Sequence, residues 1–241
     1  MGRGPSIEGR KNAEDAKRAK VFTKLIREIT VATRAGVPDP ALNPRLRTAV
    51  DKALTANMSK DTIERAIKRG SGADGGAKME ELRYEGYGPG GIALIIECFT
   101  DNTTRTVADV RHALTKHGGN LGTSGSVAFQ FTRCGELVFP TGGDEVKEEK
   151  ILEAALDAGA DDVVNDNGES TVICATENFE AVQQKLIEAG LDAQHAGVVM
   201  RPNNRTAVSG ETLETLNDLL EKLDALDDVS EVYHNALLPA E

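Results

Sequence analysis

The 241-residue chain has no tryptophan, three tyrosines and six phenylalanines, so aliphatic side chains must fill its cores. Its three cysteines, Cys98, Cys134 and Cys174, stand alone in apolar or strand-like runs. That spacing excludes a disulfide framework and a paired-thiol metal motif, and it points to buried thiols in a reducing compartment. No apolar stretch is long enough to cross a membrane, and MGRGPSIEGRKN has no apolar run behind its charges. Glu8, Glu14 and Asp15 come too early for an acid-poor mitochondrial presequence. The expected location is the cytoplasm, with no membrane partner.

Catalytic patterns are missing as well. His112 and His117 lie five apart on one expected helix, on different faces, and His195 and His234 are isolated. No carboxylate completes a zinc motif around any of them, so no metal is expected. GYGPGG at 86–91 lacks both the dinucleotide spacing and the Lys-Ser/Thr of a P-loop, and Ser124 and Ser126 have no nucleophile elbow. Neither an enzyme nor a cofactor is indicated. The run 116–126, KHGGNLGTSGS, reads as a loop whose bare backbone could meet an anion, with Gly118, Gly119, Asn120 and Gly122 as its candidate contacts.

What the chain does have is segregated charge. Residues 1–70 hold 16 Lys/Arg against 8 Asp/Glu, and the remainder holds 12 against 31, so a +8 segment precedes a −19 one. The basic segment reads as three amphipathic helices. Apolar steps from about Ala13 to Ala35 give the first, Asn43-Pro44 opens the second through Asn57, and Ser59 caps the third. Residues 1–11 read as a flexible basic arm. The polar faces carry Arg10, Lys11, Lys17, Arg18, Lys20, Lys24, Arg27, Arg34, Arg45, Arg47, Lys60, Lys68 and Arg69. Cations on such faces neutralise consecutive phosphates and release counterions, which makes these residues the candidate nucleic-acid contacts. Phe22 falls on the apolar side, so stacking on bases is not expected in this segment.

SGADGGAK at 71–78 is the expected linker. Beyond it, strands at 82–87, 92–99 and 127–131 flank a helix at 103–117. The next stretch spells strand from 136, helix 145–158, strand 161–165, an Asp-Asn-Gly turn, strand 170–174, helix 179–189 and strand 194–199. That order is βαββαβ, the split βαβ pattern of ferredoxin-like modules. With 134–201 removed, 92–131 continues into strand 205–208, helix 210–223 and strand 229–233, a second βαββαβ. A plain chain of three modules is the rival arrangement. The expected fold is therefore α+β with three domains. They are a small N-terminal helical bundle (1–70), a discontinuous module (79–133 with 202–241) and an acidic ferredoxin-like module (134–201) inserted in it.

Three blocks carry a resemblance: KVFTKLIREITVATRAG (20–36), NPRLRTAVDKALTANMSKDTIERAIKRGSG (43–72) and ELRYEGYGPGGIALIIECFTDNTTRTVADVRHALTKHGGNLGTSGSVAFQF (81–131). They closely resemble the YebC/PmpR family, which includes the mitochondrial translational activator of cytochrome c oxidase, and the likeness continues to LNDLLEKLDALDDVSEVYHN (216–235). The resemblance implies one helical and two α/β domains in a cytoplasmic transcriptional regulatory protein that binds DNA. It equally admits a ribosome-associated translation factor that contacts ribosomal RNA and assists synthesis through proline-rich stretches. A protein-binding scaffold using the acidic domains is the remaining alternative. The chain departs from the family's GHSKWxNIKxRK opening: Gly2, Ser6, Ile7, Arg10 and Lys11 keep its small and basic character, while the His, first Lys and Trp are replaced.

Overall fold

The computed structural model describes residues 7–73, 75 and 78–239, with 7–14 described as backbone alone. Helix α1 runs from Ile7 to Ala35. It begins earlier than the apolar periodicity suggested, so 7–11 of the expected arm are helical, while 1–6 lie outside the described residues. Extending an existing helix costs far less than nucleating one, which lets α1 outrun its apolar stripe. Helix α2 (Pro44–Thr55) starts at Asn43, whose side chain accepts from the Leu46 N–H. Asn57, at φ +61°, turns the chain away, and Ser59 caps α3 (Lys60–Gly70). Ile29, Ala32, Leu46, Ala49, Ala53, Met58, Ile63 and Ala66 form the core of this bundle.

Strands β1 (Glu80–Tyr87) and β2 (Ala93–Thr100), helix α4 (Thr103–Lys116) and the short strand β3 (Asn120–Leu121) come next. Asn102 caps α4 through the Arg105 N–H. The expected strand at 127–131 is instead a 3₁₀ turn over Ala128–Gln130 that leads into β4 (Phe131–Pro140). Helix α5 (Glu145–Ala158), strands β5 (Asp162–Asp166) and β6 (Glu169–Cys174), helix α6 (Phe179–Glu188) and strand β7 (His195–Pro202) complete the βαββαβ run. Asn167 and Gly168 both have positive φ, as the two-residue turn between β5 and β6 requires. The last elements are β8 (Thr206–Ala207), α7 (Gly210–Ala225), β9 (Val229–His234) and β10 (Ala236–Leu237).

Among the described residues there are two four-stranded sheets, β3-β1-β2-β9 and β5-β6-β4-β7, and a parallel β8–β10 pair. In the second sheet every pairing is antiparallel, and its order is that of a ferredoxin-like fold. Its helices cover one face through Ile151, Ala155, Val182 and Leu186 against Leu137, Phe139 and Val172. In the first sheet β1 occupies the position expected for 205–208. The reason is local: β8 is only two residues long and takes β10 as its partner. The fold is α+β throughout. The expected junctions 133/134 and 201/202 fall inside β4 and β7, which pair from Phe131↔Pro202 to Val138↔His195.

By its internal packing the chain divides into two compact units. The first comprises 1–84, 96–121 and 216–232, and the second 85–95, 122–215 and 233–241.

Candidate nucleic-acid interface

The three-helix bundle sorts the candidate cations into two groups. Lys17 and Lys20 on α1, and Lys60 and Arg69 on α3, are exposed. Arg18 is exposed too, with its guanidinium 5.3 Å from the centre of the Phe22 ring. Lys68 is exposed and has an interaction of its own. Arg10 and Lys11 lie on the α1 backbone, outside the residues whose side chains are described.

The second group has partners within the chain, although Arg34, Arg45 and Arg47 are themselves exposed. Lys24 reaches Asp224 at 2.9 Å. Arg27 donates to Asp228 Oδ1 at 2.9 Å, to the Phe99 carbonyl at 3.1 Å and to the Asp227 carbonyl. Arg34 donates to the Met79 carbonyl, Arg45 bridges Glu28 and Glu81 at 3.0 and 2.9 Å, and Arg47 holds the Pro40 and Ala41 carbonyls. Of these five, Arg27 pairs with a buried carboxylate, and a phosphate would have to displace that partner to reach it.

Asp228, which the sequence pattern does not single out, is the hub of this group. Its buried carboxylate accepts from Arg27, from Arg105 through Nε at 3.1 Å and Nη2 at 3.0 Å, and from the Thr106 hydroxyl at 2.8 Å. Burial alone would raise its pKa. The hydrogen bonds from Arg105, Thr106 and Arg27 outweigh burial and hold it below the ordinary aspartate value. These groups line a cleft of about 420 Å³ with Asp109, Val110 and Ala225–Val229. A carboxylate so firmly ionised shuttles no proton near neutrality, and the cleft reads as a structural joint. Nearby Cys98 is pushed up to about 12, first by burial and then by Asp228 and Glu97, so its thiol stays protonated. Nothing in the local sequence marks Asp228, because its partners Arg27 and Arg105 stand 201 and 123 positions away.

The glycine-rich loop also has an internal partner. The N–H groups of Gly118 and Gly119 go to the Thr115 and Leu114 carbonyls, that of Gly122 goes to the Glu85 carbonyl, and Asn120 lies in β3. Further on, the buried Glu85 carboxylate accepts from the N–H groups of Gly125 at 2.6 Å, Val127 at 3.1 Å and Ala128 at 2.6 Å. The N–H groups that meet a carboxyl group in this loop are thus those of Gly125, Val127 and Ala128, not of the four candidates, and the group is the chain's own Glu85. That carboxylate also explains why 127–131 is not a strand: it gathers the N–H groups that a ladder would have used. Among the described residues no three His, Cys, Asp or Glu are placed to hold a metal, and no helix is long and apolar enough to cross a membrane.

Two family models match. The TACO1/YebC protein N-terminal domain covers residues 4–73, and the TACO1/YebC second and third domain covers 79–236. A "probable transcriptional regulatory protein" of Xanthomonas campestris pv. campestris (strain B100) is 57% identical over 237 residues, 98% of this chain and 97% of that protein. One so named from Stenotrophomonas maltophilia (strain K279a) is 56% identical over 243 residues, 100% of this chain and 99% of its own length. The crystal structure of a conserved hypothetical protein from Aquifex aeolicus superposes with a TM-score of 0.84 at 44% identity, over 94% of this chain and 93% of that one. With both family models spanning nearly its whole length, the chain belongs to the TACO1/YebC family.

Proposed function

We propose that this protein is a non-enzymatic transcriptional regulatory protein of the cytoplasm that binds DNA through the outer faces of α1 and α3. Lys17, Lys20, Lys60 and Arg69 make the phosphate contacts, joined by Arg10 and Lys11 near the start of α1. The observation that carries the reading is a division by partner among the basic residues: Lys24, Arg27, Arg34, Arg45 and Arg47 are engaged by groups of the chain itself, and Lys17, Lys20, Lys60 and Arg69 are exposed on α1 and α3. The names of the relatives support it. Residues 1–70 act as the DNA-binding domain and 71–78 as a linker. Residues 134–201 are an insertion between 79–133 and 202–241, entering and leaving on the paired strands β4 and β7. The acidic α/β domains repel the polyanion and so confine contact to the bundle.

A salt titration tests this. Removing one phosphate contact lowers the slope of log K against log salt by about 0.9. Lys17→Glu with Lys20→Glu is expected to cut that slope by about 1.8, whereas Lys147→Glu with Lys150→Glu on α5 leaves it unchanged. Equal effects from the two pairs contradict the assignment. Tighter binding to ribosomes than to duplex DNA at the same salt would make the protein a translation factor.

A further inference from the structure

Phe129 is the only exposed aromatic side chain among the described residues, with 72% of its surface in water. Its backbone is held from several sides. The Glu85 carboxylate pins Gly125, Val127 and Ala128, and Gln130 N–H closes the turn on the Val127 carbonyl. Asn203 donates from its side chain to the Phe129 carbonyl at 3.3 Å and from its backbone to the Gln130 carbonyl at 2.9 Å. The Thr132 hydroxyl in turn donates to the Asn203 side-chain oxygen at 2.6 Å. Val127 beneath is fully buried. A buried carboxylate and a network of hydrogen bonds thus fix a large apolar ring where water surrounds it, an arrangement that solvation alone disfavours.

The surroundings indicate what covers it. The two segments that meet here, 122–135 and 193–210, contain no Asp or Glu, although they lie in the part of the chain that carries net −19. They supply Arg133, Arg201 and Arg205, of which Arg201 is paired with Glu136 at 2.9 Å and Arg205 donates to the Ala236 carbonyl. No other large exposed apolar side chain falls in either segment, although the exposed Leu237 pairs with Ala207 of β8. The Glu85 carboxylate beneath is spent on backbone N–H groups, and a single exposed flat ring in polar surroundings suits a flat, polar-edged ligand attached to a polyanion.

We propose that Phe129 is a stacking platform for an unpaired nucleobase. This rests on the nucleic-acid reading above and adds to it a second contact, one that duplex DNA cannot make without extruding a base. Base–aromatic stacking needs only a π-face, so the contact is sequence-tolerant.

The test uses the full chain and short oligonucleotides carrying 2-aminopurine, as single-stranded RNA, single-stranded DNA and duplex DNA. Phe129→Ala is expected to weaken single-strand binding by about 5- to 150-fold and abolish the quenching of 2-aminopurine, and Phe129→Trp to restore both. Duplex affinity stays at the wild-type value, which also shows that the variant is folded. The strand type that shows the loss, RNA or DNA, identifies the source of the base. Unchanged single-strand affinity in Phe129→Ala, or an equal loss on duplex, overturns the proposal. If Lys17→Glu with Lys20→Glu still weakens duplex binding in that case, the DNA-binding reading survives; if the wild-type chain binds none of the three, both fall.

Discussion

Replacing Asp228 with alanine removes the acceptor for four side-chain hydrogen bonds at once, two from Arg105 and one each from Arg27 and Thr106. Truncating one member of a buried ion pair ordinarily costs about 3–5 kcal/mol, because the partner charge is stranded. Here the side chain of Arg105 is 45% exposed and that of Arg27 23%, so water recovers part of the loss, and about 2–3 kcal/mol is the expected destabilisation. With a urea m-value of about 2–3 kcal/mol/M, the midpoint falls by about 1 M. The pH dependence has a defined sign. Because folding depresses the pKa of Asp228, its stabilisation is complete above the unfolded value of about 3.9 and disappears as pH falls through the lower folded value. Asp228→Ala therefore loses stability at pH 7 and flattens the acid limb of the stability curve. Urea denaturation followed by circular dichroism from about pH 2 to 7 reads both effects. A midpoint within about 0.2 M of wild type at pH 7, or an unaltered acid limb, would refute the assignment of Asp228 as the joint's hub.

The second unit is testable in the same way. In Glu85→Gln one acceptor oxygen becomes an amide N–H₂ that faces backbone donors, so amide exchange at Gly125, Val127 and Ala128 should accelerate at least about tenfold, read by hydrogen-exchange NMR. Gly135→Ala would place a Cβ 2.7 Å from Cys174 Sγ and 2.8 Å from the Phe179 ring; overpacking of that kind should cost about 1–3 kcal/mol in thermal or urea unfolding. Cys98 and Cys174, with pKa values pushed up to about 12 and about 11 chiefly by burial, should remain inert to a thiol reagent at about pH 8 until denaturant is added. Rapid labelling of the native chain would contradict that.

Much of this architecture is legible in the sequence because its determinants are local. Asn43, Ser59 and Asn102 cap helices within three residues of themselves, and the Asn167-Gly168 turn sets the β5–β6 register without help from elsewhere. Expectation and structure part where a distant group intervenes. Val127 and Ala128 have strand-forming neighbours, but Glu85, some 40 positions upstream, takes their N–H groups. Strand β1 enters the first sheet in a place that chain order assigns to 205–208. The same limit applies to the basic residues. Composition counts the cations on α1, but Lys24 and Arg27 are engaged by Asp224 and Asp228, about 200 residues away, and only the folded chain distinguishes them from Lys17 and Lys20. Charge reversal at Lys24 or Arg27 therefore tests the fold before it tests binding.

The most direct measurement is duplex-DNA affinity, titrated with salt, for the wild-type chain and for Lys17→Glu/Lys20→Glu/Lys60→Glu/Arg69→Glu. The quadruple variant should keep its helical circular dichroism and lose about 3.6 from the slope of log K against log salt. A variant that is folded yet binds DNA with the wild-type slope would show that phosphate contact does not lie on the exposed faces of α1 and α3.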